Sequence, residues 1–182
     1  SMRRKAQVLH RRPDVKVVNF RGNVQSRLGK LADGVAQATF LALAGLNRLG
    51  MRDLGRNVIS LDAMLPAVGQ GALALQRRAD DARVAALVAP LHHAPTEWQM
   101  QAERAFLATL EGSCETPIAG HAEIRGERLY LRGEILRTDG TEVITGEAHC
   151  GRHDAAEAGA ALARRLLAQA PADFFDWRRP RP

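Results

Sequence analysis

The chain has 182 residues, 46% of them hydrophobic and 25% charged, with a formal net charge of +6 at pH 7. That balance suits a folded polypeptide with room for one large core or two small ones rather than an unfolded polyelectrolyte; no apolar run is long enough to cross a bilayer, and no signal peptide is read at the front. Two cysteines, Cys114 and Cys150, cannot make a disulfide framework or a thiolate metal cluster, and they point to a reducing, cytoplasmic setting.

A basic excess calls for an acidic partner. Nucleic acid is the plain reading, but the basic residues are scattered and aromatics make up only 4% of the chain, so stacking platforms are scarce. A polyanionic small molecule fits as well. Part of the charge sits in the tail 178–182, which is expected to be disordered.

Residues 3–12 predict a short helix that stops at Pro13. Residues 15–20, Val-Lys-Val-Val-Asn-Phe, predict a strand. Arg21-Gly22-Asn23 forms a turn in which Asn23 caps the next helix, whose apolar positions Val24, Leu28 and Leu31 fall on one face before Gly34 ends it. Residues 38–43 read as a buried strand or short apolar segment, and 45–50 as a compact helical turn. Strand, helix, strand in that order predicts an α/β unit with a mainly parallel sheet.

Leu65-Pro66-Ala67-Val68-Gly69-Gln70-Gly71 is a glycine-rich connection, followed by a predicted strand over 72–76 and a helix over 80–91. His92-His93-Ala94-Pro95 interrupts the chain. Thr96 with Gln99 forms a capping box for a helix that runs to about 111 and closes at Gly112. Three strands are predicted over 118–124, 129–136 and 143–150, with Asp139-Gly140 as a hairpin turn between the last two. Asp154 with Glu157 opens a final helix that places Ala158, Leu162 and Leu166 on one face, and Pro171 follows it. This half reads as α+β, a small antiparallel sheet packed by two helices.

Four arginines near the front, Arg3, Arg4, Arg21 and Arg27, lie at or beside helix starts, where unpaired N–H groups favour anions and guanidinium groups can grip carboxylates with two prongs. The bland alternative is a solvated basic surface. The connection 65–71 lacks the lysine of a phosphate-binding loop and reads as a hinge or a close backbone crossing. Cys114 lies on a loop beyond a helix C-terminus, next to Glu115, where negative potential keeps a thiol from being strongly acidified. That opposes a redox or protease nucleophile but not alkylation by a strong electrophile. Cys150, at a strand end, reads as an inert packed thiol, and His92-His93 lacks the further ligands of a metal site.

Several segments together resemble the porphobilinogen deaminase (hydroxymethylbilane synthase) family. They are Arg3-Arg4 at a helix head, Arg21-Gly22-Asn23-Val24 with Arg27-Leu28, Ala44-Gly45-Leu46 with Arg48-Leu49-Gly50, residues 65–71, Ala102-Glu103-Arg104-Ala105 and the Cys114 loop, in that order. The resemblance runs from Arg3 to about Ala170. It departs at Ser113, where the family usually has glycine; serine is tolerated there unless the position needs a positive φ.

The resemblance implies a cytoplasmic transferase of tetrapyrrole (haem) biosynthesis. Such an enzyme condenses four porphobilinogen molecules into hydroxymethylbilane, each losing ammonia to give an azafulvene that the growing chain attacks. It implies a dipyrromethane cofactor held through a thioether to Cys114. Arg3, Arg4 and Arg27 would bind that cofactor, and Arg21, Arg27 and Arg48 the carboxylates of the substrate and polypyrrole chain. It also implies three domains. Here 1–66 would be an incomplete, periplasmic-binding-protein-like second domain without its leading strand, 67–93 a crossing and a segment returning to the first domain, 94–177 the C-terminal domain, and 178–182 a tail. No catalytic residue is assigned within the chain, because the family's catalytic aspartate belongs to the first domain. The chain alone is then expected to be inactive, without bound cofactor and prone to self-association, whereas the complete enzyme would be a monomer that binds neither metal, nucleic acid nor membrane. A solute-binding module for small anions and a nucleic-acid-binding protein are the competing readings.

Overall fold

The computed structural model describes residues 1–55, 57–113 and 115–175. Among these the chain forms helices α1 (Met2–Arg11), α2 (Val24–Ala32), α3 (Leu43–Arg48), α4 (Ala82–Val88), α5 (Ala94–Thr109) and α6 (Ala155–Gln169), and strands β1 (Ile118–Arg125), β2 (Arg128–Leu136) and β3 (Val143–Gly151). Two compact units divide the chain. Asp14–Met64 is one; Ser1–Pro13 joins the residues from Leu65 onward in the other. Helix α1 therefore groups with the C-terminal part rather than with the rest of 1–66.

The larger unit is built on an antiparallel sheet in the order β1-β2-β3, as its alternating pattern predicts. Inward positions Leu129, Leu131 and Ile135 of β2 pack with Ile118 and Ala122 of β1, Ile144 of β3, and Ala102, Phe106, Leu110, Leu162 and Leu166 of α5 and α6. Phe106 is fully buried beneath Gly133, where an added Cβ would stand 2.5 Å from the ring. Truncating such a ring to alanine costs about 3–5 kcal/mol. Gly159 lets α6 touch α5, since a Cβ there would lie 2.1 Å from the Ala102 carbonyl oxygen.

The sequence-read capping box needs correction. Helix α5 starts earlier than Thr96: His93 is its N-cap and accepts the Thr96 N–H at 3.4 Å through its ring nitrogen. Pro95 fits the first turn, where no N–H is needed, and Gln99 reaches instead to the Ala122 carbonyl at 2.7 Å. The final helix opens where the sequence predicts: Asp154 is the N-cap of α6, without a side-chain cap bond, and Glu157 in the first turn pairs with Arg164.

The parallel sheet is the larger correction. Residues 15–20, 38–42 and 72–76 lie outside all strands, and the sheet of the described residues is wholly antiparallel. A strand needs a hydrogen-bonded neighbour, and β-branched composition does not supply one. In the unit Asp14–Met64 the capped helix at Asn23 forms as expected, with the Ser26 N–H donated to its side chain at 2.8 Å. Leu46 is the one buried apolar residue among the described residues of that unit, while Val17, Val18, Val58, Ile59 and Leu61 stay exposed.

Candidate functional site

Helix α1 carries the first two candidate arginines into the larger unit. Arg3 is buried at 6% exposure, and its Nη1 donates to the Gln7 side-chain oxygen at 2.9 Å and to the Leu65 carbonyl. Burial, with Arg4 beside it, pushes its pKa down to about 10, although Glu134 acts in the other direction. Its Nε is buried without a hydrogen-bond partner. This leaves the guanidinium under-compensated where it is buried. Arg4 is half-buried on the same helix.

Arg21, Arg27 and Arg48 belong to the smaller unit. Gly22 adopts φ +135°, and a side chain there would collide with Ser26 Oγ at 2.2 Å. The tight turn brings the Gly22 carbonyl to Arg27 Nε at 2.8 Å and the Arg21 carbonyl to Lys30 Nζ at 2.7 Å. Two backbone acceptors thus orient two cations at the start of α2, with Arg21 itself exposed and Arg27 half-buried. Arg48 is exposed in the last turn of α3.

Cys114 lies outside the described residues, but its neighbours define the loop. Glu111, after α5, takes the left-handed conformation at φ 54°. Gly112 follows where a Cβ would strike Ile118 and Leu107 at 2.5 and 2.6 Å. Thr116 Oγ1 then accepts the Ser113 N–H at 2.9 Å and donates to the Ser113 carbonyl at 2.7 Å. Ser113 Oγ accepts the Glu115 N–H at 3.2 Å. Ser113 and the buried Thr116 therefore clasp each other across position 114. Ser113 does not have a positive φ, so serine is tolerated in place of glycine and its hydroxyl braces the turn. Cys150 is a free, half-buried thiol whose pKa burial pushes up, as suits a packed and unreactive side chain.

The glycine-rich connection runs along the free edge of β1. The Gly120 N–H donates to the Pro66 carbonyl at 3.1 Å. Glu103 of α5 accepts the Gly69 N–H at 2.6 Å with one oxygen and the Ala122 N–H at 2.7 Å with the other. The crossing therefore covers a strand edge that would otherwise be open to pairing. Burial raises the Glu103 pKa, and the two N–H groups draw it back. His121 Nδ1 lies 3.8 Å from the same carboxylate, with its own pKa lowered by burial.

Sequence reasoning missed Glu103, Gln7 and Thr116 as organising residues. For Glu103 a signal was present: a carboxylate three residues before Phe106 and seven before Leu110 falls on the inward face of α5, and a buried acid requires partners. Among the described residues no cluster of three or more His, Cys, Asp or Glu side chains could hold a metal, and no helix is long and apolar enough to cross a membrane.

Known proteins match along nearly the whole chain. The family described as porphobilinogen deaminase, dipyromethane cofactor binding domain, matches residues 1–86, and the porphobilinogen deaminase C-terminal domain matches residues 98–168. The porphobilinogen deaminase of Paracoccus denitrificans is 59% identical over 97% of this chain and 56% of its own length. That of Nitrobacter hamburgensis is 50% identical over 96% of this chain and 55% of its own length. The chain thus spans about half the length of the curated relatives it matches. With both matched domains in order and identity sustained from end to end, the chain belongs to the porphobilinogen deaminase family.

Proposed function

We propose that this chain is the arginine-bearing and cofactor-carrying part of an enzyme that condenses porphobilinogen into hydroxymethylbilane, with Cys114 as the attachment point of a dipyrromethane. The observation that carries the reading is the buried Arg3 guanidinium, with an unpartnered Nε and a lowered pKa, at the head of α1. It is a cation poised for a carboxylate, and pyrroles of this class carry acetate and propionate groups. Guanidinium groups suit such carboxylates. Arg3 and Arg4 in the larger unit, and Arg27 in the smaller, would each meet carboxylates of the cofactor, and Arg21, Arg27 and Arg48 those of the substrate and the growing chain. When bound, the dipyrromethane supplies a nucleophilic pyrrole carbon as primer. The Ser113–Thr116 clasp would brace the residues on either side of position 114.

On this reading the carboxylate that moves protons belongs to a first domain outside residues 1–182, and the chain alone binds pyrroles without turning them over. Residues 1–66 would be the second domain, a lobe resembling a periplasmic binding protein that lacks its leading strand, the partner against which segment 15–20 would pair. The whole enzyme would act in the cytoplasm as a monomer. Scattered basic residues and few aromatics favour a small anion over nucleic acid.

Titration calorimetry of porphobilinogen into the chain tests this. Saturable binding is expected, weakened about tenfold by Arg21→Leu or Arg27→Leu, the loss of one charged hydrogen bond. Both residues are outside the buried core, so melting should shift little. Steeply salt-dependent binding to duplex DNA, with none to porphobilinogen, would overturn the reading.

A further inference from the structure

Helix α1 rests against the outer face of β2 through one polar chain. Gln7, one turn after Arg3, is buried and makes three contacts: its oxygen accepts from Arg3 Nη1 at 2.9 Å, and its Nε2 donates to the Leu65 carbonyl at 3.0 Å and to the Glu134 carboxylate. Arg3 Nη1 also donates to Leu65 O, so both of its hydrogens are used. An amide side chain can turn over, exchanging oxygen for nitrogen. A carboxylate accepts only, so Glu134 demands the NH2 end of Gln7, and the oxygen is left facing Arg3. At the far end of α1, His10 Nδ1 meets the Gly140 carbonyl at 3.0 Å, and a Cβ on Gly140 would stand 2.6 Å from the His10 backbone nitrogen. The β2–β3 turn therefore seats the helix closely.

We infer that Gln7 and Glu134 are positioning residues for Arg3: together with the Leu65 carbonyl, Glu134 fixes the Gln7 amide and so commits Nη1 of the guanidinium to the protein, leaving its buried, unpartnered Nε edge as the one to meet a pyrrole carboxylate. The inference rests on the proposed anion-binding role of Arg3 and goes beyond it, because neither Gln7 nor Glu134 touches ligand. A carboxylate is best held by a preset planar fork, and loosening one prong costs affinity without touching the fold.

The test uses porphobilinogen as probe, with affinity from calorimetry, melting temperature, and the Arg3 Nε–H nuclear magnetic resonance signal. Glu134→Leu and Gln7→Met should each weaken binding about tenfold, roughly as much as Arg3→Leu, and shift the Nε–H signal. Glu134→Gln, which can still accept from Gln7, should restore affinity to within about threefold. A merely structural role would lower the melting temperature and leave affinity and the Nε–H signal of the folded protein alone; that result would overturn the inference while leaving the arginine reading intact. Should Glu134→Leu fail to fold, Gln7→Met decides by the same criteria. If Arg3→Leu itself leaves binding unchanged, the site reading fails and this inference falls with it.

Discussion

Glu103 reaches back 34 residues to take the backbone N–H of Gly69, and so pins the glycine-rich crossing to the helix that leads into the cysteine loop. Both of its oxygens accept, from Gly69 and from Ala122. Glutamine offers one acceptor and turns an NH2 toward the other N–H. Glu103→Gln should therefore cost about 1–3 kcal/mol in urea unfolding. The pH dependence has a definite sign. Burial raises the Glu103 pKa in the folded state, so folded protein takes up the proton first as pH falls. The native carboxyl gains stability between that raised value and its ordinary one near 4.5, and glutamine does not titrate. The penalty of Glu103→Gln should accordingly be smallest near neutrality and grow on acidification. A penalty that shrinks would show that the neighbouring His121 controls the site instead.

The elements legible in the sequence were those whose signals are local. Asn23 capping α2, the alternation of β2 and the Asp139-Gly140 turn each depend on residues close in the chain, and all three form. The segment 15–20 has equally good strand composition and stays unpaired, because pairing depends on a partner that composition does not reveal. At the site, the arginines were legible as charges. That Arg3 would be buried and tied to Leu65 and Gln7 was not, since contacts spanning about 60 residues follow from the packing of α1 on β2 rather than from any motif.

Two cysteines allow a direct assignment. In a complete enzyme carrying these residues, Cys114→Ala should abolish the red colour formed with Ehrlich's reagent, while Cys150→Ala should keep it. Cys150 is a half-buried thiol with a raised pKa, so it offers little thiolate to an electrophile. Colour lost with Cys150→Ala and kept with Cys114→Ala would reverse the assignment.

Residues 72–91 present an apolar face. Leu73 is 97% exposed, and Leu75, Leu87 and Leu91 are at least 61% exposed. Leu73, Leu75 and Leu91 line a hollow with Val68, Met100 and Leu107. Contiguous apolar surface of this kind favours association. The isolated chain is expected to self-associate in sedimentation velocity runs as concentration rises, and Leu73→Glu with Leu91→Glu should return it to a monomer. A wild-type chain that stays monomeric at high concentration would show that this face is not adhesive.

Incubating the purified chain with porphobilinogen, and following uroporphyrin I after acid oxidation, separates binding from catalysis. The condensation needs a carboxylate placed to stabilise a cationic pyrrole and to move protons as ammonia leaves and carbon attacks. Glu111 and Glu115, the acids nearest Cys114 in sequence, sit on a loop held by Ser113 and Thr116, and neither matches the family's aspartate in motif. A misplacement of about 1 Å can cost roughly a hundredfold in rate. Glu103 is buried and Glu134 half-buried, and both are already committed, the first to two backbone N–H groups and the second to Gln7. The arginines should still bind porphobilinogen, so the expected signature is a calorimetric binding isotherm with no uroporphyrin above background. Turnover near that of a complete enzyme would mean that residues 1–182 hold the whole catalytic apparatus, and the search for the proton-handling carboxylate would then begin with Glu111→Gln and Glu115→Gln.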